Sequence, residues 1–310
     1  MRSRWSLRRS WCPLIQSVPP AGAPPAGAAR SDDSRGPAIV RCLVTLRAQN
    51  LSFAYEGRPV LDAVEAEFPA GTLTAVIGPN GAGKSTLLRL LAGLIPTPAG
   101  SATLGGHPVA SIPVSQRARR LAYIPQRGDV AFPFRVREVV ALGRFASEYA
   151  APNAVAAALA LADVSDRAED CFGVLSAGQQ QRVTLARALA QLGVQESGGT
   201  LTAHPDASVL LADEPVSALD PIHVARTLRL LQRLARAGLS VIVVVHDLSL
   251  VLEYCDRVVA LDSRGRVAGR GEPRPTLTPD LLRTVFGTTF REARDGSGRI
   301  AALLPDAGSC

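Results

Sequence analysis

Apolar and polar positions alternate along residues 44–77, broken by turn residues at Glu56-Gly57-Arg58-Pro59 and at Pro69-Ala70-Gly71. A period of two places one face of each segment on a core, so TLRAQNLSFAY, VLDAVEAEF and TLTAVIG read as strands of an antiparallel layer. The pattern then changes. Residues 87–94 carry a helical run stopped by Pro96 and Pro98, and SATLGGHPV has the look of a short hairpin. In residues 135–169 Ala, Leu and Val recur at three and four, which predicts a helical segment. LSAGQQQRVTLARALA (175–190) passes from a Ser/Gly cap into another helix, and 193–207 is a polar Gly/Ser loop.

Two later runs are apolar throughout rather than alternating: SVLLADEP (208–215) and SVIVVVHDLS (240–249). Strands of that kind are covered on both faces, as in a parallel sheet flanked by helices. One ends in two carboxylates and the other in a histidine. Ligands of such α/β folds sit at the C-terminal ends of the strands.

Residues 1–43 do not share these patterns. They hold both tryptophans and the stretch VPPAGAPPAGAA, with no apolar period, so they are expected to be disordered. An Arg-rich, acid-poor start also suits a transit peptide, but the preferred reading is a native start at Val44, leaving 1–43 untranslated. This segment also explains the net charge. It carries seven Arg against two Asp, so the formal +7 falls to +2 for the remainder, and charge implies no nucleic-acid partner. Five scattered cysteines without C-x-x-C spacing read as reduced thiols, and no run of 18 apolar residues is present.

The chemistry centres on GPNGAGKST: Gly78, Pro79, Asn80, Gly81, Ala82, Gly83, Lys84, Ser85 and Thr86. G-x-x-x-x-G-K-[ST] between a strand and a helix is a phosphate-binding loop, in which backbone N–H groups and the helix N-terminus face an anion. Lys84 would reach the β/γ-phosphates and Ser85 would ligate Mg²⁺. Lys84 is the only lysine in the chain. It stands where a compact ammonium is needed and a forked guanidinium would not serve. Tyr55, at the end of the first strand, is placed to stack on adenine or simply to pack.

The ordered set of motifs resembles the nucleotide-binding subunit of ATP-binding-cassette transporters across about 45–290. It comprises the phosphate loop, Gln126 in YIPQ, LSAGQ (175–179), VLLADE (209–214), SALD (217–220) and His246. The resemblance implies a P-loop NTPase (RecA-like) α/β core with an N-terminal antiparallel β layer, an inserted helical subdomain at about 100–172 and a tail at 291–310. It also implies ATP and Mg²⁺ as cofactors. Asp213, with Ser85 and Gln126, would organise Mg²⁺. Glu214 would act as general base, and His246 and Gln126 would contact the γ-phosphate side. Ser176, Gly178, Gln179 and Asp220 would serve the nucleotide of a second copy in a head-to-tail homodimer. Ala177 stands where the family usually has glycine, which would weaken the loop if φ were positive there. Downstream text such as VVHDLSLVLEYCDRVVALDSRGRVAGRGEP, with the insertion at 193–207, is most similar to bacterial haem importers of the iron-complex group. Ferric-siderophore and cobalamin import, and a soluble cassette ATPase, remain as alternatives. The partners implied are a membrane-embedded permease dimer, docked through the helical subdomain near Gln126, and indirectly a periplasmic haem-binding protein. The place implied is the cytoplasmic face of the inner membrane.

Overall fold

The computed structural model describes residues 44–126, 133–146 and 153–306. The chain divides into a unit at residues 1–40 and a unit at 41–310, and every described residue belongs to the second. The expectation of disorder for 1–43 lies outside the described residues.

The first half runs β1 (Leu46–Tyr55), β2 (Arg58–Phe68), β3 (Leu73–Ile77), α1 (Lys84–Leu91), β4 (Ala99–Leu104), β5 (His107–Pro108), α2 (Val114–Arg120) and β6 (Leu121–Ile124). Next come α3 (Val136–Leu142), α4 (Ala154–Leu161), α5 (Ala177–Gln191), β7 (Gln195–Ser197), β8 (Thr200–Thr202), β9 (Val209–Ala212) and α6 (Pro221–Arg236). The remainder is β10 (Ser240–Val244), α7 (Leu248–Tyr254), β11 (Arg257–Leu261), β12 (Val267–Gly271), α8 (Pro273–Thr276), α9 (Pro279–Phe286), β13 (Phe290–Arg294) and β14 (Ile300–Pro305).

Two sheets carry the fold. One is antiparallel in the order β2-β1-β4-β5; the other has the order β12-β11-β3-β10-β9-β6 and is parallel except at β12. β3 therefore leaves the antiparallel layer expected for it. All five of its residues are buried, which suits a strand covered on both faces. Its side chains alternate between two cores. Leu73, Ala75 and Ile77 join the cluster under α5, α6 and α7, and Val76 joins the one that includes α1 and the antiparallel sheet.

The structure revises three expected boundaries. The inserted subdomain was expected to begin at about 100, yet 99–104 and 107–108, part of the stretch read as a hairpin, belong to the antiparallel sheet and 121–124 to the parallel one. The inserted helices α3 and α4 begin only at Val136. The 193–207 loop contains the hairpin β7–β8, turned by Gly198 and Gly199 at φ 55° and 78°. The tail at 291–310 contains most of a hairpin, β13–β14, which buries Leu303 in the core. Among the described residues Cys171 and Cys255 are free, and burial pushes the Cys255 thiol up to about 12, so it packs rather than reacts.

Helix starts follow local chemistry. Asp220 caps α6 ahead of Pro221, Thr278 caps α9 ahead of Pro279, and Asp247 caps α7. Asp256 does similar work for a strand. Its Oδ2 accepts from the buried Leu73 N–H at 2.8 Å while its own N–H donates to the Leu73 carbonyl at 2.9 Å. Asp256→Ala leaves the Leu73 N–H unpaired at the start of β3 and should cost about 1–3 kcal/mol. Urea unfolding of the full chain measures it; an unchanged midpoint would show that this pair contributes nothing.

Candidate nucleotide site

The register of three parallel strands sets the site. β10 lies between β3 and β9, with Val244 opposite Val76 and Val243 opposite Ala212. The chain continues past these ends into the glycine loop after β3, Asp213-Glu214 after β9 and His246 after β10. Outside β9, Ile124 of β6 pairs with Ala212, so Gln126 and Glu214 each stand two residues beyond the last rung.

In the loop, Gly78, Gly81 and Gly83 take φ of 152°, 82° and 86°. Gly78 and Gly83 are also pressed against neighbours. A Cβ at Gly78 would lie 2.6 Å from the Leu261 carbonyl oxygen, and one at Gly83 would lie 2.8 Å from that of Val60. Ala82 and Thr86 are buried, Pro79 is half-buried and Asn80 is exposed. Lys84 is buried, and its Nζ donates to the carbonyls of Gly78 and Pro79, each at 2.9 Å. Desolvation holds its pKa below the usual lysine value, opposed by the nearby Glu214 and Asp213 carboxylates.

Asp213 is fully buried. Its Oδ1 accepts from Ser85 Oγ at 3.1 Å and its Oδ2 from the Tyr123 hydroxyl at 3.3 Å. Burial raises its pKa, with the two hydroxyls pulling the other way. Two neutral donors do not fully compensate a buried carboxylate, and the paired oxygens of Ser85 and Asp213 suit a hard cation. Among the described residues no three His, Cys, Asp or Glu side chains gather into a metal site, so such a cation would complete its shell with phosphate and water oxygens.

Glu214 Oε1 and His246 Nε2 are 2.7 Å apart. Glu214 has φ 52°, a left-handed backbone in a residue that is not glycine. Gln126 is exposed in the bend after β6, and among the described residues it makes no hydrogen bond to Ser85 or Asp213. Tyr55 is 43% exposed, with its ring edge-on to Phe53 at 4.8 Å. The nearby Tyr123 and Tyr55 hydroxyls raise the Arg89 pKa, Tyr123 more strongly. Sequence reading missed Arg89 and Tyr123.

A second group of expected residues stands at the starts of α5 and α6. Ser176 and Gln179 form a reciprocal capping box: Gln179 N donates to Ser176 Oγ at 3.3 Å, and Ser176 N to Gln179 Oε1 at 2.9 Å. Ala177 is the first residue of α5, and its φ is not positive, so alanine there meets no backbone strain. Gly178 is needed for a different reason: a Cβ would lie 2.7 Å from the Ala218 carbonyl oxygen. Asp220 accepts from the N–H groups of Ile222 and His223, and its Oδ2 meets His223 Nδ1 at 2.7 Å. These bonds lower its pKa. Gln181, also missed, links the two groups by hydrogen-bonding the loop after Glu214.

A sequence profile described as ABC transporter matches residues 61–193. The chain is 46% identical over 254 residues to the hemin import ATP-binding protein HmuV of Nocardia farcinica, covering 78% of this chain and 83% of that protein. It is 43% identical over 245 residues to the protein of that name from Pseudomonas aeruginosa, covering 78% and 92%. Among solved structures it is similar to the ATP-binding subunit of an ABC transporter, with TM-score 0.63 and 26% identity over 78% of this chain and 93% of that one. It is also similar to cbiO1 of Clostridium perfringens, part of the ABC transporter complex cbiONQ, with TM-score 0.61 and 26% identity over 74% and 89%.

The raised Asp213 pKa carries a sign. A carboxyl whose folded pKa lies above its unfolded value favours folding at low pH, and that contribution is lost as pH rises through the folded pKa. At pH 7 the ionised group therefore opposes folding of the nucleotide-free chain. Asp213→Asn should stabilise it by about 1 kcal/mol, with the gain shrinking as pH falls through the raised value. Urea midpoints followed downward from pH 7 decide this; a variant no more stable at pH 7 would contradict it.

Proposed function

The chain belongs to the ABC transporter ATP-binding family, and from that membership we propose that it drives hemin import across a bacterial inner membrane. The protein is an ATPase. The observation that carries the substrate is the name shared by relatives from Nocardia, Pseudomonas and Streptomyces at 43–46% identity. Among the described residues no helix is long and apolar enough to cross a membrane, which suits a subunit held peripherally by a permease.

On this reading the phosphates enter the glycine loop and Lys84 Nζ exchanges the Gly78 and Pro79 carbonyls for β/γ-phosphate oxygens. Ser85 Oγ and Asp213, with Gln126, would hold Mg²⁺, which supplies charge neutralisation on those oxygens. Tyr55 flanks the adenine. Glu214 accepts a proton from the attacking water as its oxygen bonds the γ-phosphorus and the bridge to ADP breaks. His246, 2.7 Å from that carboxylate, keeps it aimed and faces the γ-phosphate. Ser176, Gly178, Gln179 and Asp220 act on the nucleotide of a second copy, in a two-fold homodimer that docks on a permease dimer fed by a periplasmic hemin-binding protein.

Lys84→Ala should weaken ATP binding by at least about tenfold, through loss of a charge-assisted phosphate contact, as read by titration with a fluorescent ATP analogue. Unchanged affinity would remove Lys84 from the phosphates. Glu214→Gln should reduce turnover by about a hundredfold or more yet leave an ATP-bound dimer visible by size-exclusion chromatography; continued turnover would dismiss Glu214 as the base. The substrate is tested by ATPase activity of the full chain with its permease in lipid, with hemin-loaded, siderophore-loaded or empty binding protein. Hemin-selective stimulation is expected, and stimulation by siderophore alone would move the substrate.

A further inference from the structure

Gln181 lies on α5, three residues after Gly178 and on the same helix face. Its Nε2 donates to the Glu214 carbonyl at 2.5 Å and to Ser217 Oγ at 3.4 Å, while its Oε1 accepts from the Ala218 N–H at 3.1 Å. A carbonyl on one side and an N–H on the other fix which way the amide points. Ser217 adds its own N–H and Oγ to the Glu214 carbonyl, at 3.3 and 3.2 Å.

The backbone being held is an unfavourable one. Glu214 has φ 52°, and a side chain keeps that conformation only where its surroundings over-determine it. Pro215 follows, and a proline ring pushes the preceding residue toward extended backbone. Released from its partners, the peptide after Glu214 would relax, and the carboxylate would leave its place 2.7 Å from His246 Nε2.

We propose that Gln181 is a positioning residue for hydrolysis, clamping the Glu214 carbonyl and the Ala218 N–H so that Glu214 keeps its left-handed backbone and its aim. The clamp joins α5 to the backbone of Glu214 in its own subunit. A displacement at the start of α5, on the face that presents Ser176 and Gly178, therefore reaches Glu214 through one side chain. The inference rests on the proposed role of Glu214 as base.

The test uses the full chain with its membrane partner and two variants. Gln181→Met keeps volume and loses both bonds; Gln181→Glu keeps an acceptor for Ala218 but faces the Glu214 carbonyl with an oxygen. Both should lower kcat about ten- to a hundredfold, the scale of a misplaced reacting group, with ATP affinity unchanged. In the Glu214→Gln background, Gln181→Met should leave the residual single-turnover rate unchanged, because its effect runs through Glu214. Wild-type kcat in Gln181→Glu, lost ATP affinity in Gln181→Met, or the same fold-loss in the Glu214→Gln background would each overturn the proposal. A Glu214→Gln protein that turns over like wild type would fail the reading of Glu214 itself, whatever the Gln181 variants do.

Discussion

The hydrogen-bonded ladder that locks β10 between β3 and β9 decides where every candidate group of the site can stand. Each strand ends at nearly the same rung, and each contributes one kind of chemistry just past it: backbone amides and an ammonium, a pair of carboxylates, an imidazole. A slip of one residue along either ladder would send the apolar side chains of a strand to the opposite core. The two hydrophobic clusters therefore fix the site as firmly as the site's own hydrogen bonds do. Asp256, tied to both backbone atoms of Leu73, helps to hold β3 in that register from the far end.

Within this frame the site is under electrostatic tension. A carboxylate is buried with two hydroxyls for company, and an ammonium rests on carbonyl oxygens of its own loop. Neither arrangement is the best that a folded chain could make, and on the proposed reading both would improve with phosphates and a divalent cation. These polar groups have only modest partners within the chain, so stronger ones would gain binding energy there. The same logic applies to Glu214, whose backbone is held where it would not go unaided.

That the glycine loop, Asp213-Glu214 and His246 follow the ends of strands was legible because motif spacing and apolar runs are local signals. β3 was misplaced in the antiparallel layer because turn residues before it look like a hairpin, while its pairing partners, β10 and β11, lie more than 160 residues later. The hairpin-like stretch from about 100 was grouped with the helical insertion because nothing nearby in the sequence marks the pairing of 99–104 with β1. Gln181 stood unread in a run of three glutamines. Its spacing of three from Gly178 placed both on one helix face, but what that face meets is set by tertiary packing. Arg89 and Tyr123 were invisible for the same reason.

Lys84 carries one further consequence. It is the only lysine side chain of the protein, and it sits inside the phosphate loop. To an amine-directed acylating reagent, the molecule offers that buried nitrogen and its amino terminus and nothing else. A modification of the lysine is then a modification of the site, so a mass shift on the peptide that carries Lys84 reports whether the loop was open or filled when the reagent arrived.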